Sequence, residues 1–218
     1  MPRNAVGKVL RLLFAGLLLN WIVPAHADAL GDDIARLQHG WADAYYRVPE
    51  KQKEASFETL AANAQSISER YAGHAEPLIW QAIVLSSYAQ FQGGLGALDK
   101  IKQARDLLLA AERIDPRALD GSVYTSLGSL YAKVPGWPLA FGDRKQAKLY
   151  LDKALQINPT GIDPNYFYAE LLADEKKADE ARTYYEKALA APPRPGRADA
   201  DAGRRAEIQA ALARLARG

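Results

Sequence analysis

Residues 166–193 read YFYAELLADEKKADEARTYYEKALAAPP. Ala181, Tyr185, Ala188 and Pro193 stand in this stretch at offsets of 0, 4, 7 and 12. Ala147, Leu151, Ala154 and Pro159 stand 34 residues earlier at the same offsets. The first three offsets place small, bulky and small side chains on one face of a helix, and the proline stops it. A pattern that returns at a fixed period of this size is the signature of a repeat array, in which each helical hairpin buries its apolar face only by stacking on the next.

Upstream, Leu127, Gly128 and Tyr131 supply a Leu-Gly-x-x-Tyr half of the unit. With it the segment resembles the tetratricopeptide repeat family, Tyr124 standing where the family usually has Trp. The resemblance implies an all-α protein: a right-handed superhelical stack of helical hairpins with a C-terminal capping helix.

Working outward from that unit, 160–193 is a repeat without insertion and 117–159 a repeat with one. The insertion contains Val134–Asp143, with Trp137, Leu139 and Phe141 within five residues and Pro135 and Pro138 stiffening the loop, and Asp143 with Gln146 suits the cap of the next helix. Residues 76–116 form another repeat, opened by Pro77 and closed by Pro116. Its insertion lies within QFQGGLGALDK (90–100), and 91–100 reads as a flexible loop. Residues 28–75 read as a degenerate hairpin, with Leu37, Trp41, Ala44 and Tyr45 on its first helix and Leu60, Ala64, Ile67 and Tyr71 on its second. Asp32 or Asp33 would cap its start. After a Pro/Gly/Arg linker, a last helix from Asp199 or Asp201 carries Ile208, Ala211, Leu212 and Leu215 on one side and caps the stack within 194–218. No segment alternates with period two, so about nine helices and no sheet are expected.

Residues 1–27 have the layout of a cleaved signal peptide: Arg3, Lys8 and Arg11, an apolar run from Leu12 to Val23, then Ala25-His26-Ala27 as the cleavage site. The apolar run is shorter than the roughly 20 residues that span a bilayer. A mature chain beginning at Asp28, periplasmic or secreted and without a stable membrane anchor, is the expectation. Three of the 28 basic residues and none of the 26 acidic ones lie in the signal, so the mature balance is 25 against 26. A nearly neutral chain gives no ground for nucleic-acid binding. With no cysteine, the fold relies on packing alone.

The residues give no catalytic constellation. His39 and His74 are unpaired and read as surface histidines, so neither a metal nor a cofactor is expected. Gly93-Gly94-Leu95-Gly96 lacks the Lys-Ser/Thr of a phosphate loop. The acidic residues of 170–186 mostly neighbour Lys or Arg, as on a solvated helix face. Arg194, Arg197, Arg204, Arg205, Arg214 and Arg217 read as solubilising charge near the C-terminus.

The family resemblance implies binding of a protein or peptide in the concave groove lined by the first helix of each repeat. Carried over by position, the lining is Glu76, Ile79, Ile83, Ser86 and Ser87, then Ser122, Thr125, Ser129, Ala132 and Lys133, then Asp163, Tyr166, Glu170, Ala173 and Asp174. That groove is apolar at one end, hydroxyl-rich in the middle and acidic at the other. Trp137 and Phe141 of the inserted loop either fill a gap between helices or wall the groove. The leading function is thus an exported, non-enzymatic adaptor. The alternative is a small-molecule-binding or transporter-associated component, because Pro-Gly-Trp-Pro…Phe-Gly-Asp over 135–143 and Ala202–Ala206 are similar to the tetratricopeptide partners of periplasmic solute-binding (TRAP-type) transporters.

Overall fold

In the computed structural model, which describes residues 26–217, the apolar spacing becomes nine helices among those residues. The signal-peptide expectation falls almost wholly outside the described range. The helices are α1 (His26–Tyr46), α2 (Glu50–Arg70), α3 (Ala75–Gln92), α4 (Gly94–Ile114), α5 (Ala118–Lys133), α6 (Arg144–Ile157), α7 (Ile162–Asp174), α8 (Ala178–Leu189) and α9 (Ala198–Leu215). None of them is long and apolar enough to cross a membrane. Among the described residues the one β-type pairing is an isolated bridge between Gly136 and Gly142.

Consecutive helices pair as hairpins, α1 with α2 through α7 with α8. The repeated apolar positions form the seams: Ala147, Leu151, Ala154, Ala181, Tyr185 and Ala188 are all buried. Each large side chain fully withdrawn from water stabilises the stack by roughly 1.5–3 kcal/mol. Gly128 sits where α5 meets α6. A Cβ there would stand 2.5 Å from Leu151 Cγ and 3.1 Å from the Ala147 carbonyl.

Three local expectations are corrected. The stretch 91–100 is not a loop. The chain turns at Gly93 and Gly94, both with φ +65, and α4 starts at Gly94. The insertion lengthens two helices because Leu98, Ile101 and Ala104 continue an apolar spacing that a helix satisfies. Neither Asp32 nor Asp33 caps α1, which begins at His26; Asp33 is buried mid-helix and accepts hydrogen bonds from Arg36, from Arg70 Nη1 at 2.9 Å and from Tyr71 Oη at 2.9 Å. In α9 the residue at the cap is Arg197, with Asp199 and Asp201 in the first turn. By contrast Asp143 does cap α6, accepting from the Lys145 amide at 2.7 Å and the Gln146 amide at 3.1 Å.

The arrangement closes on itself. Helices α1, α3, α5, α7 and α9 form an inner circle in which each touches two others, and the last contact is between α9 and α1. Helices α2, α4, α6 and α8 lie outside it. The final helix therefore does more than end the stack. Ala200 joins the apolar cluster of Trp41 and Trp80, Arg47 Nη2 donates to Asp199 Oδ1 at 2.7 Å, and Tyr46 Oη donates to Glu207 Oε2 at 3.3 Å.

Candidate functional site: a cavity inside the helix circle

The inner helices, with the start of α4, surround a half-open cavity of about 540 Å³, within the range of small-molecule sites. Its aromatic wall comes from the two ends of the chain brought together. Trp41, Tyr45 and Tyr46 of α1 and Trp80 of α3 face it, with Tyr166 and Phe167 of α7. Trp41 and Tyr45 stack at 4.9 Å, and Trp41 meets Tyr46 edge-on at 5.7 Å and Trp80 at 6.5 Å. Ala97, Leu98 and Ile101 of α4 add aliphatic surface, which the added turn of helix makes available.

One side is lined by hydroxyls, from Ser86, Ser87, Ser122, Thr125, Ser126 and Ser129. Several are spent locally. Ser86 donates to the Ala82 carbonyl at 2.7 Å, Ser87 to that of Ile83 at 3.1 Å and Ser122 to that of Leu119 at 2.7 Å. Ser87 Oγ also accepts from the Trp41 indole at 2.8 Å. Ser122 is delivered to the cavity by a left-handed turn over Leu119, Asp120 and Gly121, whose φ values are 51, 55 and 74.

The remaining wall is a charge network. Asp163 of α7 accepts from Arg194 Nη1 at 2.6 Å and from Arg204 Nε at 2.9 Å. Arg194 is also paired with Asp201 at 2.6 Å, and Arg204 with Glu207 at 2.6 Å. Arg204 is buried and lies over the Tyr166 ring at 4.3 Å. Burial alone would raise the carboxyl of Asp163, but Arg204 and Arg194 outweigh it and hold its pKa well below the carboxylate range. Burial likewise pushes the phenols of Tyr46 and Tyr166 upward, so both stay neutral donors. Lys133, at the rim, pairs with Glu170 at 3.1 Å. Burial would raise Glu170 too, but a hydrogen bond from Tyr185 and the charge of Lys133 keep it low.

Arg197 differs from the other cations of the wall. Among the described residues its guanidinium makes no ion pair, and its Nε is buried without a hydrogen-bond partner. It lies 5.0 Å from the Trp80 ring, a cation–π contact. Burial and the neighbouring Arg194 push it down to about 10.

Of the groove residues expected from position, Ile83, Ser86, Ser87, Ser122, Thr125, Ser129, Lys133, Asp163 and Tyr166 lie on the cavity. Ile79 does not: one turn before Ile83 on the same face of α3, it is fully buried in the α3–α4–α5 core. Glu170 is outside the lining and acts on Lys133 and Tyr185. In the inserted loop, Val134 and Pro135 reach the cavity. Phe141 packs on the core, edge-on to Tyr131 at 5.2 Å and under Arg105 at 4.6 Å. Trp137 does neither of the two things expected of it: it is 90 % exposed at the loop tip beside Leu139, 70 % exposed. The far end of the cavity is an arginine–aspartate network rather than an acidic patch. Arg194, Arg197 and Arg204 are not solubilising charge, and Arg205 donates to the Leu189 and Ala191 carbonyls at the end of α8. Arg214 and Arg217 do lie exposed.

Residues 162–195, the last hairpin and the linker behind it, match the family model for the tetratricopeptide repeat. Tetratricopeptide proteins are in general non-enzymatic scaffolds for protein interaction. Among solved structures the chain is similar to TTC0263, a thermophilic tetratricopeptide protein of Thermus thermophilus, at a TM-score of 0.56 and 20 % identity, over 86 % of this chain and 94 % of that one. This likeness supports the helical-repeat fold. The chain also aligns with pilF of Pseudomonas aeruginosa over 88 % of this chain and 95 % of that one, at 18 % identity and a TM-score of only 0.37, too low to bear on the fold. No curated protein matches the chain.

Proposed function

We propose that this is an exported helical-repeat binding protein that takes a small molecule into the cavity between its inner helices. The observation that carries the reading is the contact of α9 with α1. An open concave groove accepts a helix or an extended peptide along its length. A circle closed by α9 accepts what fits about 540 Å³ of aromatic, hydroxyl and arginine surface. The layout of residues 1–27 supports export. The similarity of 135–143 and 202–206 to transporter-associated tetratricopeptide proteins favours a role beside a solute carrier.

A protein partner is the second reading, favoured by the general role of the repeat and by the exposed Trp137 and Leu139. The two readings are compatible if the partner sits on the outer loop and the ligand inside. Native mass spectrometry of protein purified from its own exported fraction tests the first. A retained small molecule, lost on denaturation, is expected. A chain that carries no small molecule and instead retains a peptide contradicts it.

A further inference from the structure

Each cation on the cavity wall except one is already neutralised. Arg194 and Arg204 share Asp163 and have Asp201 and Glu207 besides, and Lys133 has Glu170. Arg197 is left over, with a buried Nε that donates to nothing among the described residues. Beside it, Trp80 is 4 % exposed, lines the same cavity and also has a buried, unpartnered indole Nε1. Trp41, by comparison, gives its indole N–H to Ser87. Two unmet donors, one of them charged, thus stand 5.0 Å apart in terms of guanidinium and ring centre, on one wall. A buried donor atom without an acceptor costs free energy, more so on a charged group. An acceptor supplied by a ligand removes both costs.

We infer that Arg197 anchors the carboxylate of an amphipathic organic acid, with the Trp80 indole as an additional donor and the apolar body of the acid lying against Trp41, Ile83, Leu98 and Ile101. This rests on the cavity reading of the previous section. A single leftover positive charge matches a monoanion, and the fork of a guanidinium matches the two oxygens of a carboxylate. The neighbouring walls offer no second free cation among the described residues, which disfavours a dianionic phosphate.

Calorimetric titration of the whole purified chain with octanoate, octan-1-ol and octyl phosphate tests this. Octanoate is expected to bind at least about ten-fold more tightly than octan-1-ol, and Arg197→Gln to erase that preference while leaving octan-1-ol affinity unchanged. Arg197→Gln removes an unpaired charge, so its thermal midpoint should equal or exceed that of the parent; if it fails to fold, the acid-to-alcohol ratio of the parent carries the test alone. Equal binding of acid and alcohol by the parent, or a preference that survives in Arg197→Gln, overturns the carboxylate site but leaves the cavity reading standing. Ten-fold tighter binding of octyl phosphate than of octanoate overturns the choice of head group. If none of the three binds, the cavity reading fails with it.

Discussion

Gly203 of α9 lies against the phenol ring of Tyr46 of α1, so closely that a Cβ on Gly203 would stand 2.5 Å from Cε2 and Cζ of that ring. Glycine in mid-helix costs about 1 kcal/mol relative to alanine. Here it allows two helices from opposite ends of the chain to meet. Tyr46 cannot step aside cheaply, because Trp41 and Tyr45 hold its ring edge-on at 5.7 Å and 5.0 Å. Gly203→Leu should therefore destabilise the protein by about 1–3 kcal/mol despite its better helix propensity. Equilibrium denaturation checks this; an unchanged or raised midpoint would mean that the α1–α9 contact yields easily.

The same reasoning applies between α5 and α6. Gly128→Leu places a side chain where Leu151 Cγ and the Ala147 carbonyl already stand. A loss of at least about 1–3 kcal/mol is expected, read as a lower denaturation midpoint with helical circular dichroism retained.

Asp163 is the common acceptor of Arg194 and Arg204. Asp163→Asn takes one countercharge from Arg194 and from Arg204, which keep Asp201 and Glu207, and should cost about 1.5–3 kcal/mol at neutral pH. The sign of the pH dependence follows from its lowered pKa. Unfolded, the carboxyl takes up its proton near the ordinary value of 3.8, and folded it does so at lower pH. Its contribution is therefore complete above that value and is lost as pH falls through the folded pKa. Glu170 and Asp33, also lowered, act in the same direction. Stability should be level from neutrality to about pH 5 and fall below about pH 4, and the gap between parent and Asp163→Asn should narrow in that acid limb. A gap that stays constant to the lowest pH would contradict the pairing.

Trp137 stands in solvent. Trp137→Ala should shift the denaturation midpoint by no more than about 0.5 kcal/mol, as for other surface substitutions, and leave binding of octan-1-ol in the cavity intact. A loss of several kcal/mol would place the indole in the core after all.

The repeat period made the hairpins legible, because a small residue such as Ala147 or Ala181 is required wherever two helices approach, and a proline such as Pro159 or Pro193 wherever the second helix ends. Positions on the inner helices, from Ile83 to Tyr166, could likewise be read from the spacing. Closure could not. It depends on pairs such as Arg47–Asp199 and Tyr46–Glu207, separated by 152 and 161 residues, which no local pattern reports. Gly203 inside an otherwise helical stretch was the available signal, since a glycine kept there points to a close approach. The arginines of the last segment looked like surface charge for the same reason: Asp163 lies 31 residues from Arg194 and 41 from Arg204. The run Gly93–Gly96 looked like a loop because glycine content outweighed the apolar spacing of Leu98, Ile101 and Ala104 behind it.

Closure of the inner helices by α9 is tested most directly by a distance between α1 and α9 in solution. The chain has no cysteine, so Arg47→Cys with Asp199→Cys allows two spin labels to be placed without further changes. Strong dipolar coupling and one narrow, short distance are expected in the ligand-free protein, since these side chains meet at 2.7 Å. A broad distribution centred at long distance, as in an open solenoid whose ends stand apart, would contradict it.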